Sequence, residues 1–420
     1  MRRRTTRLAA TAALTTITVL GLTACGGSGF SDTSTGGGEA GGELTSSDDG
    51  LSVLIAASGD AEATSVTDAV AAWSSDSGTD AEVSVASDLP QQLSQGFASG
   101  EPADVFYLST EALAGFASNG SLLPYGDRLT NRDDFYPALV DNFTVDDQFF
   151  CAPKDFSTLG LIINTDMWAD AGLTDADVPT DWDSLADVAA QLTTDDHVGL
   201  AFSPEYARIG AFMAQAGGTV TNADGTEATL DSPENIEALT YVQSLLTSGD
   251  AALTSDLGAG WGGEAFGTGQ AAMTIEGNWI GGALSTDYPD VAYQVAELPA
   301  GPGGQGTLQF TNCWGIAADS PNQEAAVALV EQLTSTDQQL AFADDFGVMP
   351  SIESAAEQWK TDNPDQAAFL DSVEFAQGVP NQDGSAAVIT DLNSQLSGLK
   401  TGDPAAILES AQANFDAILK

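Results

Sequence analysis

The chain has 420 residues, 43% of them hydrophobic, and carries 61 acidic against 11 basic side chains, a formal charge of −50. A length beyond what one core ordinarily serves predicts two lobes. Arg2, Arg3, Arg4 and Arg7 take four of the eleven basic positions, and the few that remain exclude binding to phosphate backbones or electrostatic docking on anionic lipid. The acidity is read as a heavily solvated surface rather than an acidic active site.

Residues 1–7 are basic and residues 8–22 mildly apolar, too short a run to span a bilayer as a helix, so the start of the chain reads as an export signal. Leu22-Thr23-Ala24-Cys25 closes it and resembles the lipobox of bacterial lipoproteins, in which the cysteine is diacylated after cleavage. The expectation is a signal peptide over 1–24, a lipid on Cys25 and a protein held at the extracytoplasmic face of the cell membrane. Residues 25–49 are glycine-rich and polar, with too little apolar surface to offset their ordering entropy, and are predicted to be a flexible tether.

From residue 51 strands and helices alternate. Residues 51–56 read as a strand, Val66, Ala69, Val70 and Trp73 as one apolar helix stripe, 81–86 as a strand, Leu89, Leu93 and Phe97 as a short helix, and 103–108 as a buried strand. Such repetition predicts an α/β fold with a parallel sheet, whose ligands sit beyond the carboxyl ends of strands. That rule selects Ser58, Gly59 and Asp60 after the first strand and Ser109, Thr110 and Glu111 after the third. Each of these also suits an ordinary turn or helix cap.

Residues 151–164 (CAPKDFSTLGLIIN) are predicted to leave one lobe and enter the other. Pro153 removes a ladder donor and Lys154-Asp155 interrupt the apolar run, which predicts a turn-rich crossing followed by a buried strand over 159–163. An ordinary internal strand of one large domain is the alternative from these residues alone. Beyond it, Thr180 is predicted to cap a helix carrying Leu185, Val188, Ala189 and Leu192, with Trp182 packed against it. Residues 197–202 form a strand leading into Glu205 and Tyr206, and Ser232-Pro233 opens a further helix. Asn222 to Gly225 reads as a tight turn rather than a calcium loop, having no glutamate at the twelfth position.

Phe266-Gly267-Thr268-Gly269-Gln270-Ala271-Ala272-Met273, followed by Gly277-Asn278-Trp279, resembles the F-x-x-G-x-A-A-M-x-x-x-G-x-W pattern of bacterial extracellular solute-binding proteins of the carbohydrate type. The stretches 160–164, 171–173 and 179–182, then 314–317 and 347–351, fit the same family in order and spacing. The resemblance implies a two-lobed periplasmic-binding-protein-like fold with a ligand cleft, several hinge crossings, a sugar trapped between the lobes and delivery to an ABC transporter permease. It divides the chain into one lobe of 50–154 with 313–345 and another of 155–312 with 346–420. It makes Trp279, beside Gly277 and Asn278, the stacking ring, with Trp261, Trp314 and Tyr206 as further aromatic candidates. Asp60, Glu111 and Glu205 match acidic loop positions, Asp155 lies in the crossing, and Ser157 stands where relatives often place a carboxylate. Independently, a sugar needs aromatic platforms for its C–H faces and carboxylates or amides for its hydroxyls.

The return crossing is expected over 308–318 and another over 343–351, with helices such as 405–419 at the end. Cys151 opens the first crossing and Cys313 lies in the returning one, so in an exported, oxidising setting a Cys151–Cys313 disulfide is predicted. With His197 the sole histidine, no G-x-S-x-G elbow and no phosphate loop, a catalytic role, a metal and a cofactor are not expected. Two readings stay open beside a monomeric sugar receptor: a glycoside hydrolase, which needs only two carboxylates, and a receptor for a cation such as a polyamine.

Overall fold

The computed structural model describes residues 42–419. The expected signal peptide, Cys25 and the first part of the expected tether lie outside the described residues. In the first lobe, β1 (Leu51–Ile55) pairs in parallel with both β2 (Ala81–Val85) and β3 (Val105–Ser109). The helix Asp60–Ser77 buries Val66, Ala69, Val70 and Trp73 against this sheet, the stripe expected from its periodicity. A two-stranded hairpin, β4 (Thr144–Val145) with β5 (Gln148–Phe149), closes the lobe's side.

The long strand β6 (Ala152–Asn164) then passes through the middle of the molecule. The second lobe adds β7 (Val198–Phe202), β8 (Ala251–Leu253), β9 (Ala271–Gly277) and β10 (Tyr293–Ala296), and the chain returns along β11 (Thr307–Ile316), whose start is joined by β12 (Ala376–Gly378). One sheet runs β2-β1-β3-β11-β6-β9-β7-β8, with β10 on β6 and β12 on β11. The first half of β6 pairs with β11 and its second half with β9 and β10, so β6 belongs to both lobes. A third crossing lies beside them, where Phe156 N–H donates to the Met349 carbonyl at 3.2 Å.

The crossing differs from its expected turn-rich form: residues 152–164 are one continuous strand. Asn312 pairs with Asp155 and Cys313 with Pro153, which leaves Lys154 as an extra residue on β6, a β-bulge. The bulge sits at the disruption Pro153 would cause anyway, and it re-aims the Lys154 side chain. Cys151 and Cys313 are joined by a disulfide at a Cα–Cα distance of 5.6 Å, both fully buried.

Separate hydrophobic cores fill the two lobes. One gathers Val53, Ile55, Val105, Phe106 and Leu329; the other Leu161, Leu200, Phe212, Leu239, Met273 and Phe415. A third cluster, including Phe156, Ile162, Phe266, Met349, Trp359 and Phe369, packs around the crossings. Three local expectations are corrected. Residues 44–49 are not free tether: Thr45 Oγ1 donates to the Ser320 carbonyl at 2.8 Å, and Asn322 Nδ2 donates to the Asp49 carbonyl. Ile352 and Ala355, assigned to the second lobe, pack in the first lobe's core, because the chain passes that lobe before the helices beyond it. The cap of the helix Trp182–Leu192 is Asp181, which accepts from Ser184 N–H, because its carboxylate reaches the third helical amide.

Candidate functional site

A cleft of about 560 Å³ opens along the crossings. Its first-lobe wall comes from the ends of β1 and β3, with Ser58, Glu62, Thr110 and Glu111; its floor from Lys154 to Ser157 on β6 and Phe310 to Asn312 on β11; its far wall from Asn278 and Trp279 beyond β9 and from Phe346 to Val348 on the third crossing. Ser58, Thr110 and Glu111, which the strand-end rule selects, thus line this cleft. On β11 the residues Phe310, Thr311 and Asn312 are its accessible ones, between fully buried flanks, and they face this space.

Trp279 is the exposed tryptophan of the chain, 38% accessible, and stands edge-on to Phe310 with ring centroids 5.6 Å apart. Its Nε1–H donates to Glu276 Oε2 at 3.0 Å, and the Arg208 guanidinium lies 5.4 Å from its ring centroid. A Cβ on Gly277 would come within 2.2 Å of the indole, so only glycine lets the ring settle on the strand end. Asn278 N–H donates to Ser157 Oγ at 2.9 Å, and Asn278 Nδ2 to the Gly347 carbonyl at 2.8 Å. Ser157 and Asn278 thus brace the first crossing, the end of β9 and the third crossing together. The hydroxyl at 157 both accepts from Asn278 N–H and donates to the Thr158 carbonyl at 3.0 Å, and an ionised carboxylate could not make the second bond.

Beneath the first-lobe wall lies a buried ionic group. Lys154 Nζ is 3.1 Å from Glu62 Oε1, pairs closely with Asp155 Oδ2, and sits 4.6 Å above the Tyr107 ring. Glu62 also accepts from Tyr107 O–H at 3.1 Å and from both the N–H and the hydroxyl of Ser58 at 2.8 Å. Burial pushes the Glu62 carboxyl up, but Lys154 and the donors from Ser58 outweigh it and hold the carboxyl below its ordinary value. Burial would lower the Lys154 ammonium, yet Asp155, Tyr107 and Glu62 together raise it, so it stays charged. Asp155 is raised, because burial outweighs the neighbouring ammonium.

Of the residues singled out from the sequence, Ser58, Thr110, Glu111, Asp155, Ser157, Asn278 and Trp279 meet at the cleft. Gly59, Asp60 and Ser109 flank it without lining it, and Gly277 acts from below. Trp314 does not line it: its ring is fully buried in the first lobe, 4.7 Å from Tyr107, because β11 turns that side chain into the core. Tyr206 is buried in the second lobe's core beside Gly210. Glu205 lies 3.6 Å from Arg208 instead of in the cleft, and Trp261 packs over Gly263. Glu62, Lys154, Phe310, Asn312 and Phe346 were not foreseen. A signal existed for Lys154, one of the few basic residues of the chain, set inside an apolar strand; Glu62 looks like any acidic residue in a first helical turn.

An aromatic ring opposite carboxylates, amides and hydroxyls, across a floor of crossing strands, is the geometry of solute capture between lobes. The family profile of bacterial extracellular solute-binding proteins matches residues 69–368. The chain belongs to that family. A relative, a binding protein of Brucella abortus, is 27% identical over 351 residues, 79% of this chain and 83% of its own. Among solved structures, the cyclic alpha-maltosyl-1,6-maltose binding protein of Arthrobacter globiformis superposes with a TM-score of 0.78 at 21% identity, over 88% of this chain and 98% of its own. An ABC substrate-binding protein of Listeria monocytogenes in complex with cycloalternan gives 0.75 at 21% identity over the same shares, and the sugar-binding protein MalE of Xanthomonas citri 0.77 at 20% over 88% and 97%. These likenesses show that the solute-binding protein has the two-lobed fold. No helix among the described residues is long and apolar enough to cross a membrane.

Proposed function

We propose that this solute-binding protein is a non-catalytic, lipid-anchored receptor that captures a sugar or oligosaccharide and delivers it to an ABC importer. The observation that carries the ligand class is Trp279, an accessible indole presented into a polar cleft whose opposite wall offers Glu111 and whose floor offers Asn312. Such a ring covers the C–H face of a pyranose while the polar groups meet its hydroxyls. The volume of about 560 Å³ suits a short oligosaccharide. The structural neighbours named for maltose-type and cyclic oligosaccharide ligands support the same class, and membership of the family supports capture rather than hydrolysis.

Titration of the soluble body against a carbohydrate panel tests this reading, with spermidine and free amino acids as controls. A sugar binds without turnover, and Trp279→Ala weakens it by about 1 to 3 kcal/mol, the range for losing an aromatic platform and its buried area. An affinity untouched by that substitution, or saturation by spermidine alone, overturns the ligand class. For the anchor, membrane fractionation of a Cys25→Ala variant is expected to release the protein; full retention overturns lipidation at Cys25.

A further inference from the structure

Behind the Trp279 ring lies a second buried ion pair that solute binding as such does not require. Glu276 is fully buried in β9, and Arg208 Nη2 donates to its Oε2 at 2.5 Å. The same oxygen accepts the Trp279 indole N–H, while Glu276 Oε1 and Arg208 Nε have no partner. The guanidinium that neutralises the carboxylate also lies over the indole. A buried pair of this kind contributes little net stability against an apolar replacement, so its presence calls for another role. An exposed tryptophan on a helix start would otherwise sample several rotamers and lose that freedom on binding.

We propose that Arg208 and Glu276 are positioning residues that hold the Trp279 indole in its stacking pose before the solute arrives. Glu276 fixes the ring's rotation through the indole N–H. Arg208 fixes its tilt by the cation–π contact and is itself aimed by Glu276 and, more weakly, by Glu205 at 3.6 Å. Because a cation already lies over the indole, the ring's attraction for a second cation is reduced, which favours a neutral polyol over an ammonium on this platform. The importance of the pose rests on Trp279 being the solute platform; the pose itself does not.

The test therefore uses the ligand-free protein. The chain's seven tryptophans provide seven indole N–H resonances, and that of Trp279 is the one lost in Trp279→Phe. In the unsubstituted protein this N–H is expected to exchange with water at least about tenfold more slowly than a free indole, although its ring is the exposed one. The double variant Arg208→Met, Glu276→Leu removes both charges together; in it the Trp279 resonance moves and loses its protection while the other six stay in place. Glu276→Gln, which keeps a carbonyl acceptor, retains the slow exchange. Exchange at the free-indole rate in the unsubstituted protein overturns the proposal without any variant having to fold. Unaltered protection in the double variant overturns it too, as does a shift of all seven resonances together. Failure of every sugar in the panel with the protection intact counts against the carbohydrate reading alone.

Discussion

The three carboxylates around the cleft do not respond to pH in the same direction, and their partners decide the sign. Glu62 is held below the ordinary carboxylate range, so its contribution to stability is present above about pH 4.5 and is lost as pH falls through its lower folded value. Glu276 and Asp155 are raised, because their burial outweighs Arg208 and Lys154 respectively. Folding makes ionising these two carboxyls harder than in the unfolded chain, although each keeps its cationic partner, so stability is lost as pH rises above their ordinary values toward the folded ones. The urea midpoint is therefore expected to be higher near about pH 5 than near about pH 8, and Glu276→Gln flattens that slope. A steeper slope in the Gln variant would show that burial does not dominate at Glu276. Of these groups only Asp155 was legible as a site residue, from its place in the crossing. Glu62 and Glu276 carry no local mark, because what buries them is packing from sequence-distant elements.

The pairing of β6 with β11 turns two separate stretches of sequence into one hinge, and the disulfide lies at its first-lobe end. Cys151 and Cys313 are 162 positions apart, so the bond removes loop-closure entropy from the unfolded chain worth up to roughly 5 kcal/mol. Replacing both cysteines by serine should lower the urea midpoint by an amount approaching that figure. Solute affinity should stay the same, since neither sulfur lines the cleft. An unchanged midpoint would show that the unfolded chain is already restricted there. The bulge at Lys154 explains why this segment misleads a local reading. Proline and two charges in a row describe a turn unless Glu62 and Tyr107, reached only through folding, receive the ammonium.

A net charge of −50 on a molecule with eleven basic residues makes self-repulsion a property of the entire fold. Among the described residues, Lys154 and Arg208 are committed to buried pairs, so the surface carbonyl and carboxylate field is screened chiefly by ions of the solvent. Raising sodium chloride from about 20 to about 500 mM shortens the screening length well below the lobe dimensions and is expected to raise the melting temperature. A fall with salt would mean that the ion pairs, rather than the repulsion, dominate the balance. The same field disfavours anionic solutes approaching the cleft, which is consistent with a neutral sugar.

The alternation of strands and helices was legible from residue order, because periodicity acts within a few neighbours, whereas the crossings and the choice of Trp279 rested on the resemblance to the family. The cysteine pair was legible once the two crossings were placed side by side. Which rings reach the cleft was settled elsewhere. Trp314 and Trp279 both follow a glycine-bearing or strand-end pattern, yet one faces Tyr107 in the core and the other faces solvent. That difference comes from the register of β11 against β3, in which a shift of one residue exchanges inside for outside, and from the helix that begins at Trp279 just beyond β9. Register is fixed by the packing of both lobes at once, and no window of the sequence contains it.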